Sequence, residues 1–214
     1  MTAFDQLARL GVATVHEALE GNGVVDVDLI QVVPGSRCAG PARTVRTGQN
    51  DNLMVHAALD RLRPGEVLVL TMPEPAPVAL VGELIALQAF YRRAAGILID
   101  AAVRDMEQLR DLALPIWARW VRATGTTKDI VGTIDEAVTV GGVVVKPGDA
   151  VVLDEDGAVI VPRHRIDQVV ALAQERERRE AQRRDQYRRG ALAYDLSGLR
   201  QRVEGARPPL PKDG

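Results

Sequence analysis

The stretch GELIALQAFYRRAAGILIDAAVRD, residues 82–105, decides how the chain folds. It opens on a glycine and an acid, continues through helix-forming residues to Ala94, and is closed by Gly96. ILIDAAV, 97–103, then reads as a buried strand that ends on a bare charged pair, Arg104–Asp105. A helix of about 13 residues runs roughly 20 Å at about 1.5 Å per residue. A strand of about 7 residues runs back roughly 23 Å at about 3.3 Å per residue. The two lengths nearly cancel. Glu83 and Arg104–Asp105 are therefore expected on one edge of a sheet.

Outward from this unit the pattern alternates. A helix is expected over 14–20, after Gly11 and before the Gly21-Asn22-Gly23 turn, with strands near 30–33 and 38–45. Asp51 reads as the N-cap of a helix NLMVHAALDRL, and EVLVLT, 66–71, as a strand covered on both faces. Another helix is expected over 105–112 and an extended piece from Leu114. From Ala137 the chain turns β-branched, and turns at Gly141-Gly142, Pro147-Gly148 and Asp156-Gly157 predict successive antiparallel strands. A charged helix over 166–189 follows, and only its first third carries an apolar stripe, Ile166, Val169, Val170 and Leu172. Its alternating charges suit a solvated helix or a subunit-contact arm better than a nucleic-acid surface. The tail from Gly205 is expected to be flexible. The order predicts a layered α/β protein with a mixed sheet, a main domain over 1–163 and a C-terminal helical arm over 164–214.

Composition narrows the class. At 214 residues and 46% hydrophobic, the chain can bury a real core. A formal net charge of −2 gives no field to recruit nucleic acid or an acidic membrane, and 3% aromatics leave little for base stacking. Cys38 is the sole cysteine, so no intrachain disulfide forms and a cytoplasmic setting is expected. The start, MTAFDQLARLG, lacks the pattern of a signal peptide, and no uncharged apolar segment is long enough to span a bilayer.

The charged edge admits two readings. In one, Asp105 and Gln108 form a capping-box variant, Glu83 favours its helix dipole, and Arg104 pairs with either acid. In the other, the edge is a site. A helix beginning at Gly82 leaves the amides of Glu83, Leu84 and Ile85 without internal partners, which suits an anion. Arg104 grips a carboxylate with two parallel bonds, and Glu83 and Asp105 are hard oxygen ligands suited to Mg²⁺ or Mn²⁺. Together they describe a pocket for a small oxo acid. Asn52 and His56, four apart on one helix face, are candidates for the distal end of the substrate or for a cap or interface.

The motif GELIA…VRD, with twenty residues between Glu83 and Arg104, resembles the acid-x20-Arg-Asp signature of the RraA-like family. It is most similar to class II pyruvate aldolases acting on 4-hydroxy-4-methyl-2-oxoglutarate and 4-carboxy-4-hydroxy-2-oxoadipate. ATVHEAL at 13–19, PGSRCAGPARTV at 34–45, DNLMVHAAL at 51–59 and VTVGGVVVKPGDAVVLDEDGAVIVP at 138–162 carry the likeness further. The resemblance implies a layered β/β/α fold of the swivelling-domain type, and a homotrimer or dimer of trimers. It implies that Asp105 ligates a divalent metal, that Glu83 meets it through water, and that Arg104 holds the 2-oxo acid. Leu84 and Ile85 amides would take the substrate carboxylate. The implied reaction is retro-aldol cleavage to pyruvate, with oxaloacetate decarboxylation as a side activity. A Schiff-base route is not expected, because Lys128, Lys146 and Lys212 all lie outside buried strands.

Two positions depart from the family pattern. Ala101 stands where relatives commonly carry glycine, so a methyl is expected to reshape the pocket. Ala191, in GALAYD, stands where relatives tend to supply an acid to a neighbouring subunit. Some RraA-like members instead bind and inhibit a ribonuclease; the resemblance implies that this branch lacks the aspartate after the arginine, which this chain keeps. A methyltransferase is not indicated, since no Gly-rich nucleotide loop follows a strand.

Overall fold

Residues 1–205 are described in a computed structural model. Two helices, α1 (Ala3–Leu10) and α2 (Val12–Ala18), open the chain, followed by β1 (Ile30–Gln31), β2 (Cys38–Arg46) and α3 (Leu53–Arg61). Then come β3 (Val67–Thr71), β4 (Ala79–Val81), α4 (Glu83–Tyr91), β5 (Gly96–Val103), α5 (Met106–Leu112) and β6 (Ile116–Val121). The remainder is β7 (Thr133–Ile134), β8 (Val138–Val140), β9 (Val143–Val145), β10 (Ala150–Asp154), β11 (Gly157–Val161), α6 (Ile166–Arg188), α7 (Ala193–Leu196) and α8 (Leu199–Glu204).

The main sheet has nine strands and is mixed. Its spine runs β1-β6-β5-β3-β2-β10-β11, parallel through β6, β5, β3 and β2 and antiparallel at both ends. Strand β2 is the hinge of the layering. Its first half pairs with β10 (Leu153 opposite Cys38, Ala150 opposite Pro41), and its second half with β3 (Ala42 opposite Val67, Arg46 opposite Thr71). That handover lets the sheet fold over itself. One apolar cluster joins α3, α4 and α5 to a face of β3, β5 and β6; a second joins α1, α2 and the start of α6 to β10 and β11. A third fills the space between the central strands and the β8–β9 and β10–β11 hairpins, through Val69, Leu98, Trp117, Val140 and Ile160. The result is the expected β/β/α architecture. Every residue of β3 and β5 is buried, as continuous apolar runs require when both faces are covered.

Several local expectations are corrected. Helix α1 was not anticipated; Thr2 and Asp5 cap it reciprocally, with Asp5 N donating to Thr2 Oγ1 at 3.1 Å and Thr2 N to Asp5 Oδ2 at 2.7 Å. Asp51 is not the N-cap of α3; Asn52 holds that position. Asp105 starts α5, but its side chain makes no capping bond there, so the expected pairing with Gln108 is absent. Leu172 is exposed, and Ala173 takes its place in the buried stripe of α6 with Ile166, Val169 and Val170.

Helix α6 runs through the boundary between two compact units, Met1–Gln174 and the segment from Glu175 onward. In the second unit α6 carries ion pairs one turn apart, Arg176–Glu180 at 2.9 Å and Arg184–Glu180 at 3.1 Å. Among the described residues no helix is long and apolar enough to cross a membrane. The tail expected to be flexible lies, beyond Gly205, outside the described residues.

Candidate active site

The β5–α5 junction sets the chemistry. Between Ile99 and Ala102, β5 takes three steps while β6 takes two, from Ala118 to Trp120. One extra residue is thus accommodated on β5, and the bulge rephases the strand just before Arg104. Asp105 follows in the left-handed conformation, φ 62° and ψ 46°, which a non-glycine residue adopts only at a cost of order 1–2 kcal/mol. Its carboxylate turns away from its own helix. Oδ2 accepts from the Glu83 amide at 3.0 Å, and Arg104 Nε stands 3.7 Å from the same oxygen.

Gly82 makes that approach possible. A Cβ built there would fall 2.5 Å from Asp105 Oδ2 and 3.1 Å from Arg104 Cγ and Nε. Its φ is −130°, so glycine is required by crowding and not by backbone conformation. Helix α4 has no side-chain cap. Asp105 supplies one from across the sheet edge, leaving the Leu84 and Ile85 amides as the donors that the helix cannot pair internally.

The opposing wall comes from α3 and the loop over 125–130. The buried Asp51 carboxylate holds them together, accepting from the Leu53 amide at 2.8 Å, Thr127 Oγ1 at 2.6 Å, Asp129 N at 2.6 Å and Ile130 N at 3.2 Å. Burial by itself raises the Asp51 carboxyl, but these four bonds outweigh it and bring the group down to about 2. The loop so anchored carries Gly125, Thr126 and Lys128 to the cleft. Burial, reinforced by the charge of Lys128, holds the His56 ring below its ordinary range, toward the neutral form.

A cleft of about 440 Å³ opens between the walls and is lined by Asn52, His56, Gly82, Glu83, Leu84, Ile85, Arg104 and Asp105. All eight candidate residues from the sequence thus meet in one place. Lys128, Thr126 and Gln108 also line it and were not singled out as site residues. No local pattern marks Lys128, because its placement depends on Asp51 gripping a loop more than seventy residues away. Lys128 is exposed, so it lacks the desolvation a Schiff-base lysine needs. Ala101 does not line the cleft; it is fully buried in the core under α4 and α5, so its methyl packs and does not reshape the pocket. Ala191 precedes α7 in the second unit.

A larger cavity of about 570 Å³ lies at the opposite edge of the sheet, by Arg43, Glu66 and Asp135. There the charges satisfy one another. Arg43 donates to both Glu66 oxygens at 3.0 and 2.8 Å and to Asp135 at 2.6 Å. The Arg43 guanidinium is thus engaged at all three nitrogens.

No group of three His, Cys, Asp or Glu side chains that could cage a metal occurs among the described residues. Glu83 and Asp105 are the two carboxylates of the cleft. Such a pair fits an ion of the Mg²⁺ or Mn²⁺ kind, which keeps several waters and binds through one or two carboxylates plus substrate oxygens. It does not fit a closed zinc site.

Fold and site together define an α/β protein with a charged cleft at a sheet edge. The family model "RraA-like: Aldolase/RraA" matches residues 12–160, and the chain belongs to that family. A relative from Halalkalibacterium halodurans, named "Putative 4-hydroxy-4-methyl-2-oxoglutarate aldolase", is 27% identical over 93% of this chain and 92% of its own. Streptomyces coelicolor RraAS2, described as an unusual member of the RNase ES inhibitor RraA protein family, is 28% identical. It superposes with a TM-score of 0.76 over 85% of this chain and 95% of its own. An uncharacterized protein from Pseudomonas syringae pv. tomato shares the fold, with a TM-score of 0.79 at 24% identity over 89% of this chain and 94% of its own.

Proposed function

We propose that the protein is a divalent-metal-dependent lyase. It cleaves a 4-hydroxy-2-oxo di- or tricarboxylic acid to pyruvate and a second oxo acid, and decarboxylates oxaloacetate as a side reaction. The observation that carries this reading is the Asp105 carboxylate, strained at the end of β5, seated on the Glu83 amide and beside Arg104 in one cleft. Strain of this kind persists where the surroundings enforce it and is frequent at working sites. The resemblance to class II pyruvate aldolases and the name of the Halalkalibacterium relative support the same chemistry.

Asp105 would hold Mg²⁺ or Mn²⁺ directly and Glu83 would hold it through water. The ion, when bound, supplies positive charge that polarises the 2-oxo acid. The remaining work belongs to the chain. Arg104 pairs with the substrate carboxylate, and the Leu84 and Ile85 amides complete that anion site. A water oriented by Glu83 and Asp105 takes the C4 hydroxyl proton. The C4–O bond becomes a carbonyl, the C3–C4 bond breaks, and its electron pair passes to the pyruvate enolate, whose charge faces Arg104. Protonation at C3 releases pyruvate. Oxaloacetate loses CO₂ to give the same enolate.

The test couples pyruvate release to lactate dehydrogenase, with oxaloacetate and a 4-hydroxy-4-carboxy-2-oxo acid, with and without Mg²⁺ or Mn²⁺. Activity indifferent to chelator or to Asp105→Ala would sink the proposal. The likeness to RraAS2 favours a second reading, a protein-binding regulator of a ribonuclease. Ribonuclease inhibition that survives Asp105→Ala, with no pyruvate formed by the wild type, is its signature. A homotrimer or dimer of trimers is the assembly we propose, to be measured by light scattering.

A further inference from the structure

Helix α3 begins with an asparagine that does not cap it. At an N-cap the side-chain oxygen ordinarily accepts an amide of the first turn, yet Asn52 makes no such bond. Asp51 does that job through Leu53. Asn52 Nδ2 donates instead to the Leu80 carbonyl at 3.3 Å, which fixes the amide and leaves Oδ1 uncommitted. Asn52 is 6% exposed, and its Oδ1 is buried with no hydrogen-bond partner in the protein. One turn later His56 Nε2 is in the same condition. Both side chains line the cleft that holds Glu83, Arg104 and Asp105.

Two unmatched polar atoms on one helix face, beside a cleft, need a reason. A carboxylate or carbonyl only accepts, so it offers nothing to Asn52 Oδ1. An ammonium would donate to both atoms, but Lys128 lines the same wall and repels it. A hydroxyl both donates and accepts, so it can give its proton to Asn52 Oδ1 and accept from His56 Nε2–H.

We propose that Asn52 and His56 form a hydroxyl-reading subsite that holds the C4 hydroxyl of a 4-hydroxy-2-oxo acid. The proposal rests on the aldol reading above and deepens it. In the resting complex the hydroxyl proton lies toward Asn52. For reaction the O–H rotates to the water, the proton leaves, and His56 Nε2–H stays on the oxygen as it gains negative charge. Oxaloacetate carries no C4 hydroxyl, so its decarboxylation makes less use of the pair.

The experiment compares kcat/KM for 4-hydroxy-2-oxoglutarate and oxaloacetate in the Mg²⁺-supplied wild type, Asn52→Leu, His56→Leu and His56→Gln. The selectivity ratio is expected to fall about 30-fold or more in both Leu variants, mainly through KM for Asn52 and kcat for His56, with partial rescue by Gln. A parallel fall of both activities, or no change in the ratio, overturns the subsite. Calorimetry on Asp105→Asn with 4-hydroxy-2-oxoglutarate and 2-oxoglutarate needs neither turnover nor a change at Asn52 or His56. About tenfold tighter binding of the hydroxylated compound is expected; equal affinity overturns the subsite even if the Leu variants do not fold. A wild type that binds selectively but releases no pyruvate refutes the aldol reading and leaves the hydroxyl subsite standing.

Discussion

The Glu83 amide donates to Asp105 Oδ2 at 3.0 Å, so the carboxylate that opens one helix is spent on the first turn of another. This contact joins the two ends of the helix–strand unit over 82–105. It also explains why Asp105 tolerates a left-handed backbone: the conformation turns its carboxylate to α4.

Gly82→Ala should separate crowding from conformation. The backbone there accepts alanine, but the methyl would fall 2.5 Å from Asp105 Oδ2. We expect pyruvate release to drop about a hundredfold, as for an ångström-scale misplacement of a catalytic group. Thermal unfolding should move by only a few degrees. Activity within a factor of two of wild type would show that the close approach is not needed.

Asp105→Gly should fold at least as well as Asp105→Ala, by about 1 kcal/mol, because glycine bears no cost at positive φ. Both should lack activity. Urea denaturation of the two variants, side by side, measures the strain separately from the chemistry.

Asp51 links stability to acidity. Its folded-state value, about 2, lies below the ordinary carboxylate range, so the ionised form stabilises the fold above pH ~4. That contribution is lost as pH falls through the window from about 4 to about 2. Asp51→Asn should cost about 2–3 kcal/mol at pH 7 by weakening charge-assisted bonds to four donors, and should flatten the acid limb of the stability curve. Denaturant melts at pH 7 and pH 3 check both. Because Asp51 anchors the loop bearing Lys128, substrate KM should rise in the same variant.

His56 should titrate below the ordinary histidine range, since burial and then Lys128 disfavour the imidazolium. With the folded value depressed, the neutral ring favours the fold above the ordinary histidine range, and that stability is lost as pH falls below it. Lys128→Ala should bring the titration back toward the ordinary value without reaching it, a shift that histidine NMR reads directly.

Much of this was legible because local periodicity carried it. The strand over 97–103, the helix before it and the hairpins after Ala137 follow from apolar runs and turn residues. Glu83 does lie by Asp105, but not through matching lengths: α4 has 9 residues and β5 has 8, and it is the parallel pairing of β4 with β5, Val81 opposite Val103, that brings both ends to one edge. What escaped depends on contacts distant in sequence. Asp51 reads as a cap and does accept the Leu53 amide, but Thr127, Asp129 and Ile130, arriving from the far side of the chain, make it a loop anchor as well. Asp105 and Gln108 look like a capping box until Gly82 lets α4 claim the carboxylate. Ala101 is expected at the pocket because relatives commonly carry glycine there; it lies in the core instead, on a strand whose bulge over 99–102 sequence alone does not announce. Helix α1 is only eight residues long, too short for its apolar spacing to stand out, and its start is marked by the reciprocal Thr2–Asp5 cap alone.

The most direct measurement of the central claim is pyruvate release from a 4-hydroxy-2-oxo dicarboxylate, for wild type and Asp105→Ala, with Mg²⁺ and with chelator. Steady release by the wild type that chelator stops is expected, with a loss of about a hundredfold or more in the variant. Release that persists through chelation, or that Asp105→Ala leaves intact, contradicts it.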